Sequence, residues 1–151
     1  MDENVNGGFN HAIFGGAAAR ETAPVTGERY TYGVVCRALE PSLARRVIMV
    51  HMAKSFRERF LGLMGVRSVP LGCGLLFEHC RSIHMMFMRV PLDVVWLSAP
   101  YSDGGRAVVA VSRALAPWRL AFAPSKDAIA ALEMRAGTAP AVGTRLHISR
   151  D

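Results

Sequence analysis

No Cys-x-x-Cys pair occurs in this chain, and its three cysteines, Cys36, Cys73 and Cys80, are odd in number and irregularly spaced. That excludes a disulfide framework and favours a reducing compartment. No stretch approaches the roughly eighteen uninterrupted apolar residues that a membrane helix needs, because charges punctuate even the most hydrophobic segment. Nor does the start of the sequence look like a secretory signal: Asp2 and Glu3 stand at its head, and HAIFGGAAA is too short and too glycine-broken for an apolar core segment. There is no phosphate-cradling glycine loop and no dinucleotide fingerprint. These absences lead us to expect a soluble, cytoplasmic, monomeric protein with no membrane span and no cofactor.

What is present suits a globular domain. At 151 residues, 51% hydrophobic and 20% charged, the chain has room for one core but not for two ordinary domains. The formal net charge is +6. Residues 1–29 carry a net −2, from Arg20 and Arg29 against Asp2, Glu3, Glu21 and Glu28, so residues 30–151 carry +8, nearly all of it arginine. A basic surface of this kind keeps a protein soluble or meets an anionic partner. Residues 1–29 mix Gly, Ala, Asn and Thr without periodicity and read as a disordered tail. The β-rich domain is expected to span 30–151.

The segment Gly74–Leu97, GLLFEHCRSIHMMFMRVPLDVVWL, dominates that domain. Its few polar groups stand in an otherwise apolar run, as on the central strands of a small core or the wall of a site. Around it, 32–39 and 46–51 read as strands, with a turn at Glu40-Pro41-Ser42. Ser55-Phe56-Arg57-Glu58 has the capping-box form. Phe56, Phe60, Leu63 and Met64 follow at helical spacing up to Gly65, which predicts a short amphipathic helix over 56–64, its apolar face on a sheet. The central run predicts strands at 74–79, 83–89 and 92–98. Asp103-Gly104 then predicts a hairpin turn into 106–111, and 144–148 makes a last strand. Lys126–Arg135 stays ambiguous: propensity favours a helix, while Ala130, Leu132 and Met134 alternate with Ala131, Glu133 and Arg135 as in a strand. The fold class is mainly β, a compact antiparallel sandwich or barrel with one helix.

In order along the chain stand Ala53-x-Ser55-x-x-Glu58-Arg59-x-x-Gly62-Leu63-Met64, Gly74-Leu75-Leu76-Phe77 and Cys80-x-x-Ile83-His84-x-x-x-Met88-Arg89-x-Pro91-Leu92-Asp93-x-Val95. Leu132-Glu133-x-x-x-Gly137 and Gly143-x-x-Leu146 follow. Over residues 46–148 this pattern resembles the uncharacterised prokaryotic family called domain of unknown function 192, in its Cys-x-x-Ile-His branch. The resemblance implies a mainly β domain and a strand at 126–135, and brings no activity, cofactor or catalytic set. It also implies a neighbourhood that sometimes includes pilus or secretion machinery. Met85 departs from the Thr common in that branch, and Thr144 from the Asp usual after the late glycine.

Several constellations of residues could carry chemistry. Asp93, in PLDVVWL, is an acid in an apolar strand and needs hydrogen bonds or a cation, for which Arg59 and Arg89 are candidates. With His84 and Glu133 these residues form either a structural polar cluster or a pocket for an anionic ligand. Cys80, His84 and Asp93 are the candidates for a nucleophile, base and orienter. Cys73, His79, Cys80 and His84 are weak candidates for zinc, because on a straight strand residues 80 and 84 stand more than about 12 Å apart. His84, Met85, Met86 and Met88 have the ligand types of a cuprous site but also those of a core. No metal is expected. Nucleic acid is an unfavoured partner, since the arginines are scattered through the domain without the aromatic array that a stacking platform requires. The reading that follows is a non-catalytic binding module for a small anionic ligand or a protein segment. A small hydrolase or transferase using Cys80, His84 and Asp93 is the alternative, and nucleic-acid binding through the basic surface a further one.

Overall fold

The computed structural model describes Tyr30, residues 34–39 and residues 45–149. The expected tail over 1–29, the start of the first strand at Tyr32 and the turn at 40–42 lie outside the described residues. Nine strands and one helix follow in order: β1 Val34–Leu39, β2 Arg45–Met52, α1 Phe56–Leu61, β3 Cys73–Phe77, β4 Ser82–His84, β5 Leu92–Leu97, β6 Gly105–Leu115, β7 Leu120–Phe122, β8 Ala130–Arg135 and β9 Arg145–Ser149.

Seven strands close into a barrel in the order β1-β2-β3-β8-β5-β6-β9, so the sandwich-or-barrel expectation resolves to a barrel. Among the described residues only β2 and β3 pair in parallel; their connection holds α1 and gives it its place beside the wall. β4 and β7 form a separate antiparallel ribbon.

The alternation of side chains on a strand sorts the core into two layers. Ile48, Val50, Leu76, Val95, Leu97, Leu132 and Met134 share the first, which fills the barrel. Leu75, Phe77, Leu92, Val94, Trp96 and Ala131 point the other way and pack with Leu63, Ile83, Met85 and Met88. The β3, β5 and β8 walls are therefore covered on both faces, and this is why Gly74–Leu97 is so apolar. Packing also settles the ambiguous segment. Residues 130–135 are a strand paired with β3 and β5, because only a period of two places Leu132 and Met134 inside while Ala131 faces out.

Three expectations are corrected. The helix ends at Leu61 and not at Met64: Gly62, at φ 46° and ψ −131°, turns the chain while its N–H still donates to the Glu58 carbonyl at 2.9 Å. Its apolar residues do not face a sheet, since Phe56 is 84% exposed and Phe60 57%. Leu63, beyond the helix, supplies the buried contact instead. The strand expected over 83–89 stops at His84. There the Met85 N–H donates to the Arg119 carbonyl at 2.7 Å, and Phe87 takes φ 59°. Its partner β7 carried no sequence signal, being three residues between Pro117 and Pro124.

The capping box is formed as its sequence predicts, with Ser55 Oγ accepting from the Glu58 N–H and the Glu58 carboxylate accepting from the Ser55 N–H. Glu58 also meets His51 Nε2 at 2.9 Å. These bonds, led by the Ser55 backbone N–H, hold its carboxyl down to about 2.

Candidate functional site

Where α1 and the β4–β7 ribbon lie over the outer face of the barrel, they leave a pocket of about 90 Å³. Its lining includes Arg59, Phe60, Cys80, Ser82, His84 and Glu133. Each wall has a local cause. Glu133 is at the centre of β8, opposite Leu75 on β3 and Val94 on β5, on the face that looks out of the barrel. Gly62 crosses above it, and a Cβ there would stand 3.7 Å from Glu133 Oε2. His84 is the last residue of β4 and Arg59 sits in the last turn of α1.

The electrostatics of this pocket are unusual. Glu133 is 4% exposed, its Oε2 is fully buried, and that oxygen has no hydrogen-bond partner among the described residues. Burial alone pushes its carboxyl up from 4.5 to about 8, so it is largely protonated at neutral pH. His84 Nδ1 is likewise buried and unmatched. Orphaned buried polar atoms cost about 1–3 kcal/mol each, and two of them on residues that line one small pocket mark a place where a ligand group can improve on water. Arg59 does not neutralise the acid; its Nη1 donates to the Glu78 carbonyl at 2.8 Å. Glu78 in turn holds Arg106 through both carboxylate oxygens at 2.9 and 2.7 Å, a pairing not foreseen from the sequence.

The sequence candidates separate into two places. Asp93 is fully buried but lies at one end of the barrel interior, away from the pocket lining. Its carboxylate accepts the N–H groups of Ala114 at 2.8 Å, Gly137 at 2.9 Å and Ala139 at 3.0 Å. The cation near it is Arg113 at 3.9 Å, in place of the expected Arg59 or Arg89. Arg89 is exposed and makes no side-chain hydrogen bond or ion pair among the described residues.

Cys80, His84 and Asp93 therefore do not converge. Cys80 and His84 do share the pocket, because the chain bends before β4, but the Cys80 thiol donates to the Ser82 carbonyl at 3.1 Å. Burial raises its pKa, opposite to the activation a nucleophile needs. Cys73 is buried in the core and its thiol is raised by burial as well, whereas His79 is exposed. Among the described residues no three His, Cys, Asp or Glu side chains are placed to hold a metal ion. Met85 is buried and Met86 is 46% exposed.

Around the pocket runs a rim that sequence periodicity did not reveal. Phe56 stacks on Phe60 at 6.2 Å, and Phe60 meets the His84 ring at 6.3 Å. His84 pairs across the ribbon with Leu120, and Ser82 with Phe122, so one face of the ribbon continues the apolar run. Leu120 is 64% and Phe122 69% exposed. Beside the ribbon, Phe87 and Trp118 are exposed and edge-to-face at 4.9 Å, and both hold positive φ (59° and 66°). Bulky residues adopt that backbone only at a cost. Replacing Phe56 or Phe60 with Ser will change the urea-unfolding free energy by less than about 0.5 kcal/mol, because neither ring is in the core.

A second cleft, of about 250 Å³, is lined by Arg67, Ser68, Val69, Val90, Pro91, Arg135 and Ala136. Both of its arginines are exposed and already solvated.

Residues 39–147 match the family DUF192, described as "Uncharacterized ACR". The chain belongs to this family. Two solved structures share the fold of this DUF192 protein. One, from Sinorhizobium meliloti 1021, is assigned provisionally as a transcription regulator; it has 23% identity and a TM-score of 0.64 over 76% of this chain and 92% of that one. The other is a protein of unknown function from Novosphingobium aromaticivorans DSM 12444, with 19% identity and a TM-score of 0.68 over 84% and 94%. Among curated proteins none matches significantly. Among the described residues no helix is long and apolar enough to cross a membrane.

Proposed function

We propose that this DUF192 domain is a non-catalytic binding module that captures a protein segment, one side chain of which enters the Glu133 pocket. The observation that carries this reading is the pair of buried, unmatched polar atoms, Glu133 Oε2 and His84 Nδ1, at a pocket bordered by exposed aromatic rings. Small-molecule sites usually enclose about 300–1,000 Å³; a space of about 90 Å³ suits one side chain. The rim then supplies the area that a single side chain lacks. A small anionic ligand would find cations at the Arg67–Arg135 cleft, but those groups gain little by leaving water. A hydrolase or transferase has less support, since its thiol is held protonated and its third member is elsewhere.

The test blocks the pocket from an exposed position. Ser82 lines it at the surface, and Ser82→Trp fills it without touching the core. Short peptides selected from a displayed random library on the wild-type domain will bind Ser82→Trp at least about tenfold more weakly, the loss of one well-filled anchor. Equal binding to a folded Ser82→Trp domain would show that the pocket takes no part.

A further inference from the structure

The same face also indicates what kind of segment it receives. Arg57 follows Phe56, Arg89 lies two residues after Phe87, and Arg119 stands between Trp118 and Leu120. All three arginines are exposed, and none has a side-chain hydrogen bond or ion pair among the described residues. The acids around the pocket are already committed: Glu58 to the capping box and His51, Glu78 to Arg106, and Glu133 to the pocket floor. Each exposed aromatic pair of the rim thus has beside it in the chain an exposed arginine with no acidic partner among the described residues. Scattered along the sequence, the two sets of residues looked unrelated. Backbone bonds set Trp118 and Arg119 beside the 85–88 turn: the Trp118 N–H donates to the Met85 carbonyl at 2.7 Å and the Met85 N–H to the Arg119 carbonyl at 2.7 Å, while the Gly65 N–H, just past α1, donates to the Phe87 carbonyl at 2.9 Å.

Resting on the segment-binding reading above, we infer that the partner is an acidic protein segment, with large apolar residues for the Phe56–Phe60–Leu120–Phe122 rim and Asp or Glu residues for Arg57, Arg89 and Arg119. Opposite charge around an apolar contact raises the association rate and rejects basic competitors. Patches of this composition also meet anionic bilayers and single-stranded nucleic acid, and the geometry disfavours both. A flat bilayer leaves the recessed groups of Glu133 and His84 unmatched, whereas a side chain reaches them. Nucleic acid needs open ring faces, but Phe56 and Phe60 stack on each other and Phe87 meets Trp118 edge-on.

The deciding experiment compares peptide pools selected from the random displayed library on the wild-type domain and on Arg57→Glu/Arg119→Glu. Both substitutions are at exposed positions, so the variant keeps the fold, which circular dichroism checks. The wild-type pool will be enriched in Asp and Glu beside Leu, Ile or aromatic residues. Its best peptides will bind the variant about tenfold more weakly or worse, and will weaken as salt rises. The variant will itself select a less acidic pool. A neutral or basic wild-type pool that still loses affinity on Ser82→Trp would overturn the acidic partner while leaving segment binding intact. Peptides indifferent to both changes would overturn both readings. So would the absence of any pool together with binding to phosphatidylserine vesicles or to oligo(dT).

Discussion

Replacing Asp93 with Asn will lower the stability of the domain by about 3–5 kcal/mol, the cost of breaking a buried charged network from one side. The two carboxylate oxygens divide three donors: Oδ1 takes Ala114, while Oδ2 takes Gly137 and Ala139. An amide has one acceptor end. Whichever way Asn turns, its NH₂ group faces at least one backbone N–H that then has no partner, at zero exposure. These donors belong to the end of β6 and to the loop after β8, so the loss loosens two connections at one end of the barrel. With m for a small protein at about 1–3 kcal/mol per molar urea, the unfolding midpoint falls by one molar or more. A midpoint within experimental error of wild type would show that these three bonds do not hold the barrel closed.

Glu133→Gln will act in the opposite direction, and only above a certain pH. In the unfolded chain the carboxyl titrates near 4.5; in the folded domain it titrates at about 8. Between those values the folded state holds a proton that the unfolded state has released, so the stability of the wild type falls as pH rises, at up to about 1.4 kcal/mol per unit. The whole window amounts to about 5 kcal/mol, after which the curve levels. Gln carries no such proton. Below pH 4.5 the variant and the wild type will be of similar stability, and well above pH 8 the variant will be the more stable by about 5 kcal/mol. Glu58, held near 2, contributes only below this window, and in both proteins equally. Parallel stability–pH curves from urea titrations would mean that Glu133 is already ionised and satisfied in the folded domain. A conserved-volume change that stabilises a protein at its own pocket is the signature of a group kept for binding and not for folding.

The sequence made the barrel legible where local rules and the fold agree. The alternation through Ala130–Arg135 already separated Leu132 and Met134 from Glu133, although alanine-rich propensity argued for a helix. Packing between β3 and β5 decided in favour of the alternation. The capping box fixed the start of α1, because both of its bonds lie within four residues. Asp93 could be placed in the core from PLDVVWL alone. Its partners could not, since their N–H groups come from the end of β6 and the loop after β8, 21 to 46 residues away, and donate through backbone that carries no side-chain signature.

The site was legible in its residues and not in its arrangement. Arg59, Cys80, His84 and Glu133 were all named, yet they were grouped with Asp93, which β5 turns to the opposite face of the wall. The rim was missed for a definite reason. Helical spacing of Phe56 and Phe60 normally marks the face that is buried, and here the connection from β2 to β3 leaves it exposed to water. The same holds for Leu120 and Phe122, on a three-residue strand with too few positions to show a period.

The central claim is that an acid sits beneath α1 with nothing to pair with. A carboxyl-carbon NMR titration of the ¹³C-labelled protein, with the Glu133 signal assigned by its absence from Glu133→Gln, measures this directly. The account predicts that this one glutamate titrates at about 8. A midpoint at the ordinary 4.5 or below would contradict it, placing the carboxylate in water or against a cation and leaving the pocket without its unmet group.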